Sequence, residues 1–225
     1  MNMILLRIVL IIIGYACGMI QTAYFYGKSK GIDIREHGSG NAGTTNTLRV
    51  LGKRAGLVVF IGDMLKTFIP VLTVGILVDC IFTDYWEYKY LLKLYIGLGA
   101  ILGHNFPFYL GFRGGKGIAA SGGMMLSFNW TFSIVGFVLF FGTFSLTNYV
   151  SLGSLMLLGG FFVQMVIMSI GSFGPFALID ATILAEQCII TLIISSLAFI
   201  RHRENIVRLI NHNERKTYIF KKVNK

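Results

Sequence analysis

Seven stretches of apolar residues, separated by short polar segments, run along the chain. A helix needs about 20 residues to cross a hydrocarbon core of roughly 30 Å, and six of the stretches come close to or exceed that length. The fourth is the exception, since about a dozen residues cover only about 18 Å. It is expected to be a half-helix or a span that begins inside a protein cavity. The pattern predicts helices over 3–26, 55–78, 90–110, 117–128, 131–147, 152–170 and 182–200.

The composition agrees with a protein embedded in a membrane. Of its 225 residues, 55% are hydrophobic and 13% are charged, whereas a soluble domain carries about a quarter charged residues. We expect an all-α integral membrane protein with a single polytopic domain over 1–225. The formal charge of +10 would also suit a nucleic-acid-binding protein. The basic residues flank apolar spans instead of forming a basic domain, so no nucleic-acid partner is expected.

The distribution of charge decides between six and seven crossings. Most of the 20 basic residues lie in 27–54, 111–117 and 201–225, whereas 79–89 and 171–181 are mainly acidic. Only seven crossings, counting the short fourth one, place every basic segment on one face. Because positively charged loops stay in the cytoplasm, the sequence predicts seven transmembrane helices. The N-terminus is then outside and the C-terminus is cytoplasmic.

A run of small and polar residues over 38–49 follows the first span. It combines glycines, hydroxyls, amides and one guanidinium with no acid, so it offers many hydrogen-bond donors to an anion. The run contains G-x-G-x-x-G, but a membrane helix precedes it instead of a buried strand, and Thr44 stands where a P-loop needs Lys. It is therefore predicted to bind a phosphate group that is not part of a nucleotide. A flexible polar turn is the alternative.

Two further clusters lie on the same predicted face. Gly-Gly-Lys-Gly opens the short helix, where unpaired amides, the helix dipole and Lys116 favour an anion. After the last span, His202, Asn205 and Arg208 recur every three residues and are expected to share one helical face. The alternatives are a plain glycine turn and a basic amphipathic tail lying on anionic lipid. Because all three clusters project to one side, the sequence predicts one phosphate site assembled from several loops.

Charged residues inside the spans are few. Asp63 and Lys66 are three residues apart in the second span, which predicts a mutual ion pair with a structural role. Glu186, near the outer end of the last span, is expected to reach water. Ser151 is expected to line the site or to cap the sixth span. The three cysteines lie apart from one another and from any His, so we expect packing roles for them, with no metal and no cofactor.

Three motifs of the chain resemble those of one enzyme family. The opening loop is similar to the family's GSGNPGATNxLR. The segment GHNFPFYLGFRGGKGIAA is similar to the family's GHxFPxxxxFxGGKGxAT. The segment RHRENIVRLINHNE is similar to the family's HxxNIxRLxxGxE. The motifs belong to the bacterial membrane acyl-phosphate:glycerol-3-phosphate acyltransferases, the PlsY family, and the resemblance extends along nearly the whole chain. It implies a seven-helix enzyme of the bacterial cell membrane, with its active site on the cytoplasmic face.

The resemblance also implies a reaction. A fatty acyl group passes from an acyl phosphate to the 1-hydroxyl of sn-glycerol 3-phosphate, giving lysophosphatidic acid and phosphate in the first acylation of phospholipid synthesis. The donor is then made by a soluble partner, PlsX. Since two phosphates meet in such a site, Arg49 and Lys116 are expected to offset their repulsion. Phosphate is a good leaving group and can accept a proton, so no strong protein base is needed.

Roles follow at the matching positions. The resemblance implies catalytic roles for Ser39, Arg49, His202 and Asn205. It implies substrate-binding roles for Asn41, Thr45, Asn46, His104, Gly114, Gly115, Lys116 and Gly117. It implies structural roles for Asp63, Lys66 and Glu214.

Four positions depart from the family's pattern. The family's weaker D-x-x-K element is also present, at Asp63 and Lys66. Ala42 stands in place of Pro, Thr44 in place of Ala, Thr67 in place of the Gly after that lysine, and Asn213 in place of the Gly before Glu214. None of these changes removes a proposed catalytic side chain. Asn tolerates the left-handed conformation that Gly provides, so the exchange at 213 is expected to be mild.

Two other functions stay open at this point. The first is acyl transfer from acyl-CoA or acyl carrier protein. The pattern of other glycerolipid acyltransferases, in which Asp follows His by five positions, is absent here. The second is a membrane transporter of phosphate or another anion, against which stand the lack of an internal repeat and the one-sided placement of the clusters.

Overall fold

The computed structural model describes residues 2–218, so the end of the basic tail predicted over 201–225 lies outside the described residues. Within 2–218 the secondary structure is helical and follows the apolar stretches. Two additional short helices, α3 and α10, lie in polar segments. The helices are α1 (Met3–Gly18), α2 (Thr22–Ser29), α3 (Thr44–Leu51), α4 (Lys53–Cys80), α5 (Lys89–Asn105), α6 (Ile118–Phe128), α7 (Trp130–Thr147), α8 (Val150–Ile170), α9 (Ala181–Arg201) and α10 (Arg203–Ile210).

Five of the described helical segments are long and apolar enough to cross a membrane. They are Met3–Ser29, Lys53–Cys80, Trp130–Thr147, Val150–Ile170 and Ala181–Arg201. α5, with 17 residues, and α6, with 11, are shorter. The all-α class is confirmed for the described residues, whereas the count of seven crossings and the orientation of the termini stay predictions.

The first predicted span, 3–26, is wrong in one respect, because the helix breaks between α1 and α2. At the break, Lys66 Nζ donates to the carbonyl oxygen of Ile20 at 2.6 Å, and Gln21 Nε2 donates to the carbonyl oxygen of His104 at 2.8 Å. Non-helical backbone is tolerated at membrane depth where protein groups satisfy it. The break therefore depends on partners from α4 and α5 that lie far away in sequence.

α1 and α5 pack backbone against backbone. A Cβ atom on Gly14 or Gly18 would lie 2.1 or 2.0 Å from carbonyl oxygens of α5. From the other side, a Cβ atom on Gly99 or Gly103 would lie 2.3 or 2.2 Å from carbonyl oxygens of α1. Each helix thus presents a G-x-x-x-G pair to the other, the spacing that allows close approach in membranes. This contact fixes the C-terminal end of α5, where His104 lies.

α6 confirms the predicted short fourth helix. It begins after Gly117, whose φ of +83° is a left-handed conformation that favours glycine. At its other end, Lys93 Nζ donates to the carbonyl oxygen of Phe128 at 2.9 Å. The last carbonyls of a helix lack partners within the helix, so this buried ammonium satisfies one of them.

The expectation that Glu186 simply reaches water is wrong. Its carboxylate accepts hydrogen bonds from Arg7 Nη2 and from the hydroxyl of Tyr95, both at 2.5 Å. Arg7 is a charge within the first apolar stretch. Charged groups at membrane depth are costly unless paired, so this contact joins α1, α5 and α9.

Candidate active site

The three polar clusters meet around one cavity of about 1490 Å³. One part of its wall carries the basic side chains of Arg49, Lys116, Arg201 and Arg208, and another part is apolar. The apolar side chains come from α4 and α7 and include Leu57, Phe60, Phe140, Phe141 and Phe144. The predicted site residues Ser39, Asn41, Thr45, Asn46, Arg49, Asp63, His104, Gly114, Lys116, Gly117, His202, Asn205 and Glu214 all contribute to the lining.

The opening loop is shaped by the side chain of Asn46, which is 1% exposed. Its Nδ2 donates to the carbonyl oxygens of Ile34 and His37 at 3.0 and 2.9 Å, and its Oδ1 accepts from the Ser39 amide at 2.8 Å. A Cβ atom at Gly38 would lie 2.3 Å from that Oδ1, and the φ of Gly38 is +65°. The amide of Asn46 is thus engaged with the loop itself. Substrate binding by Asn46 stays a prediction, and its observed contacts hold Ser39 in place.

Arg49 contacts the C-terminal tail. Its Nη2 donates to Thr217 Oγ1 at 2.9 Å and to the Arg215 carbonyl oxygen at 3.4 Å. The Thr217 amide donates in turn to the carbonyl oxygen of Asn148, between α7 and α8, at 2.9 Å. The tail therefore passes beside the predicted catalytic guanidinium, and the motif that ends at Glu214 gives no sign of this contact.

The glycine turn rests on the end of α5. The Gly114 amide donates to the carbonyl oxygen of Asn105 at 3.2 Å, and the Gly115 amide donates to that of His104 at 3.1 Å. A Cβ atom on Gly115 would lie 2.1 Å from His104 Nε2, so the contact needs glycine. The amides of Gly114 and Gly115 are thus engaged with α5, and the substrate-binding roles of these two glycines stay predictions. Lys116 and Gly117, next to the start of α6, line the cavity.

A network of side chains joins the second and third clusters. Lys116 Nζ donates to Asn205 Oδ1, and Asn205 Nδ2 donates to Glu214 Oε1 at 2.7 Å. Arg208 Nε donates to Glu214 Oε2 at 2.7 Å, and Ser151 Oγ donates to Oε1 at 3.0 Å. Glu214 therefore ties α8 and α10 together and orients the amide that contacts Lys116, in agreement with its predicted structural role.

Burial and neighbouring charges perturb the pKa values in this network. Burial lowers the pKa of Lys116 to about 8, and the positive charge of Arg208 adds to the effect. Burial alone would raise the pKa of the Glu214 carboxyl, but the hydrogen bonds from Arg208, Asn205 and Ser151 outweigh it and lower that pKa. At neutral pH, Glu214 is ionised and Lys116 is mostly charged.

His202 lies at the junction of α9 and α10, so the predicted single ridge of His202, Asn205 and Arg208 is wrong for its first member. Its Nδ1 is 2.8 Å from the carbonyl oxygen of Ala198, which assigns the ring proton to Nδ1. Burial lowers the pKa of His202 to about 4, with a further contribution from the charge of Lys116. The ring is therefore neutral at pH 7 and presents the Nε2 lone pair.

The predicted ion pair inside the second span is present beneath the loops. Lys66 Nζ is 3.0 Å from Asp63 Oδ1, and His104 Nδ1 is 3.8 Å from the same oxygen. Asp63 and His104 are 1% and 2% exposed. Lys66 also reaches the break between α1 and α2, as described above. His104 Nδ1 lacks a hydrogen-bond partner among the described residues, so the Asp63–Lys66 pair lies beside the end of α5 without a hydrogen bond to the His104 ring.

Two contacts of the site were not expected from the motifs. Arg201 Nη2 donates to the carbonyl oxygens of Gly114 and Gly115. Asn105 is fully buried under Gly117, and neither atom of its side-chain amide has a hydrogen-bond partner among the described residues. The only sequence signal for the Arg201 hydrogen bonds was a basic residue next to His202. The only signal for the buried Asn105 was the G-H-N triplet that it ends.

The family model described as glycerol-3-phosphate acyltransferase matches residues 8–212. The chain belongs to the glycerol-3-phosphate acyltransferase family. A relative of that name from Clostridioides difficile (strain 630) is 38% identical over 212 residues, which cover 93% of this chain and 94% of the relative. "Glycerol-3-phosphate acyltransferase 2" from Bacillus cereus (strain ATCC 10987 / NRS 248) is 39% identical over 215 residues, 95% of this chain and 96% of the relative.

Solved structures of the family have the same fold. The crystal structure of PlsY (YgiH), an integral membrane glycerol 3-phosphate acyltransferase, in its glycerol 3-phosphate form has a TM-score of 0.76 and 34% identity. The aligned region covers 94% of this chain and 96% of the PlsY chain. The lysophosphatidic acid form gives a TM-score of 0.74 at 33% identity, with 94% and 95% covered. The resemblance seen in the three motifs is confirmed, and the protein is an integral membrane enzyme.

The four departures from the family's pattern fit the structure to different degrees. Ala42 is 1% exposed and packs against the loop core. The hydroxyls of Thr44 and Thr67 are buried and lack hydrogen-bond partners among the described residues. The expected left-handed residue at Asn213 is wrong, since the positive φ, 55°, belongs to His212. His212 stands where HxxNIxRLxxGxE has its Gly, so the turn before Glu214 keeps the register of the motif.

Replacing Glu214 by Ala is expected to lower the free energy of unfolding by about 2–3 kcal/mol at pH 7, because Asn205 and Arg208 lose a charged acceptor. The lowered pKa of Glu214 stabilises the fold above the ordinary carboxyl pKa of about 4.3. This stabilisation is lost as the pH falls through the lowered value. Thermal melts in detergent at pH 7 and at about pH 3.5 measure both effects.

Glu204→Ala is the matched control for Glu214→Ala. The Glu204 carboxylate is 75% exposed and lies 3.9 Å from Arg208, so its loss is expected to cost less than about 0.5 kcal/mol. Equal destabilisation by the two substitutions would contradict the role given to Glu214. A difference between wild type and Glu214→Ala that persists undiminished at the lower pH would contradict the linkage.

Proposed function

We propose that this protein transfers a fatty acyl group from an acyl phosphate to the 1-hydroxyl of sn-glycerol 3-phosphate, releasing 1-acyl-glycerol 3-phosphate (lysophosphatidic acid) and phosphate. The observation that carries the proposal is the single cavity with basic side chains on one part of its wall and α4 and α7 aromatics on another. A long acyl chain that ends in a phosphate needs both kinds of wall. The names of the relatives and of PlsY support the acceptor.

The proposed step forms one bond and breaks another. The 1-hydroxyl oxygen attacks the acyl carbonyl carbon, the bond from that carbon to the phosphate oxygen breaks, and the hydroxyl proton passes to the departing phosphate. Arg49 and Lys116 supply positive charge where two phosphates approach and where negative charge develops. Ser39 and Arg49 serve the acyl-phosphate end, and Lys116 serves the phosphate of the acceptor.

The remaining predicted side chains have supporting tasks in this proposal. Asn205 holds Lys116 through its amide, and neutral His202 orients a reacting hydroxyl through Nε2. Asn41 and Thr45 offer further hydrogen bonds on the opening-loop side of the cavity. The donor is proposed to come from a soluble acyl-phosphate-forming enzyme such as PlsX. No metal or cofactor takes part in the proposed step.

Identity of the donor is tested with purified protein in lipid or detergent. With sn-glycerol 3-phosphate as acceptor, palmitoyl phosphate is expected to give lysophosphatidic acid and one equivalent of phosphate, whereas acyl-CoA and acyl carrier protein give none. Product from acyl-CoA alone would overturn the donor assignment. Uptake of phosphate into sealed vesicles without lipid product would favour the transporter instead. Ser39→Ala and Arg49→Ala, expected mainly to lower kcat, serve as inactive references.

The charge of Lys116 makes a pH dependence predictable. Its pKa of about 8 means that the ammonium is present below pH 8 and is lost above it. The value of kcat/KM for glycerol 3-phosphate, which reports the free enzyme, is expected to fall about tenfold per pH unit above pH 8. Lys116→Arg, which keeps its charge, is expected to be less active and to show no such fall.

Initial rates between about pH 6.5 and 9.5 measure this profile, with glycerol 3-phosphate below its KM. A wild-type profile that stays flat to pH 9.5 would contradict the assignment of Lys116. The same fall in Lys116→Arg would assign the titration to another group.

We also propose seven crossings, an external N-terminus, a cytoplasmic C-terminus and a cytoplasmic active site in the bacterial cell membrane. The placement of the basic segments 27–54 and 111–117, both beside the cavity, supports this topology. Single cysteines at exposed positions in a variant without the native cysteines test it. An impermeant maleimide is expected to label Asp84→Cys in intact cells and Lys30→Cys only after permeabilisation. Labelling of both in intact cells would contradict the topology.

A further inference from the structure

Arg201 is the last residue of α9 and directly precedes His202, the first residue that the family's third motif specifies. Its Nη2 donates to the carbonyl oxygen of Gly114 at 3.1 Å and to that of Gly115 at 2.9 Å. Its guanidinium carbon is 5.3 Å from the centre of the Phe106 ring. The side chain is thus held between the end of α5 and the glycine turn, with two of the turn's carbonyls as its hydrogen-bond acceptors.

These two hydrogen bonds orient the peptide groups of the turn. A peptide bond is planar and trans, so its C=O and N–H point in opposite directions. Since the carbonyls of Gly114 and Gly115 point to Arg201, the amides of Gly115 and Lys116 point away from it. For Gly115 this direction is seen directly, because its amide donates to the carbonyl oxygen of His104 at 3.1 Å. The peptide that leads to Lys116 is held from its carbonyl side by Arg201.

A glycine turn needs such a restraint. Glycine has no Cβ atom and populates both signs of φ, so a Gly-Gly-Lys-Gly segment has more accessible backbone conformations than a segment without glycine. Loss of these orientations opposes anion binding unless the protein orders the turn beforehand. On one side the turn is ordered by the backbone of α5, and on the other by the Arg201 guanidinium. Arg201 also places a positive charge close to Lys116.

We propose that Arg201 is a positioning residue for the acceptor: it fixes the Gly115–Lys116 peptide so that Lys116 and the start of α6 meet the phosphate group of glycerol 3-phosphate. This inference rests on the proposed function, which assigns that phosphate to Lys116. Arg201 acts through the turn, so its loss weakens acceptor binding and leaves the chemistry at the donor in place.

Steady-state kinetics of purified Arg201→Gln, Arg201→Lys and Arg201→Ala test the proposal. Arg201→Gln and Arg201→Ala are expected to raise the KM for glycerol 3-phosphate about tenfold or more, with kcat and the KM for acyl phosphate within about twofold. Arg201→Lys keeps the charge and part of the hydrogen bonding, so an intermediate KM is expected. Guanidinium ion at millimolar concentration is expected to lower the raised KM of Arg201→Ala and to leave wild type unchanged. Arg54→Gln removes the same charge from an exposed position that does not line the cavity and is expected to match wild type.

Hydrogen exchange of the substrate-free protein gives a second readout. Peptides that cover 104–117 are expected to exchange faster in Arg201→Gln than in wild type, with the other helices unchanged. An unchanged KM for glycerol 3-phosphate in Arg201→Ala would overturn the positioning role while the wild-type reaction stands. Loss of the folded state in all three variants would also overturn it, since Arg201 would then support the whole fold. A wild-type protein that does not acylate glycerol 3-phosphate would instead refute the proposed function.

Discussion

The hydrogen bonds between the end of α5 and the glycine turn are the contact on which the site depends. Gly114 and Gly115 donate to the carbonyls of Asn105 and His104, which are the last residues of α5. The position of those carbonyls is fixed by the glycine-to-backbone packing of α5 on α1, because helices at that distance cannot slide without a clash. A membrane-buried contact between two helices therefore determines where Lys116 lies at the cavity.

The charges of the site are arranged around one carboxylate. Glu214 accepts from Arg208 and Asn205, and Asn205 accepts from Lys116, so a single network connects three basic or amide groups from two motifs. In a half-buried site each charge would be costly alone, and the network lowers that cost. A substrate phosphate that binds Lys116 competes with the amide oxygen of Asn205, while Glu214 keeps its three partners Asn205, Arg208 and Ser151. Substrate can thus bind without disrupting the fold of the tail.

Apolar runs of 17 or more residues predict most of the helices, and the Asp63–Lys66 spacing predicts their ion pair, because both are local properties of the chain. That the three motifs lie together was predicted from the number of spans and from the placement of the basic segments on one face. The break after α1 was not predictable, since Lys66 and His104 supply its partners from other helices. The same holds for Arg201, whose acceptors are two glycine carbonyls that no residue pattern marks. Contacts between a side chain and a distant backbone carbonyl leave no signature in the sequence.

Lys93 and Arg7 are charged residues within the apolar stretches, and their contacts help to explain the shape of the cavity. A helix that ends within a membrane exposes carbonyls that lipid cannot satisfy. At the end of α6, Lys93 from α5 supplies a donor to Phe128, and Arg7 pairs with Glu186 to hold α1 against α9. α6 can therefore stop after 11 residues. Because α6 is short, its start lies within the protein, where Lys116 and Gly117 line the cavity. A helix of about 20 residues that ended at the same place would begin about 14 Å further along the helix axis, away from this position at the cavity.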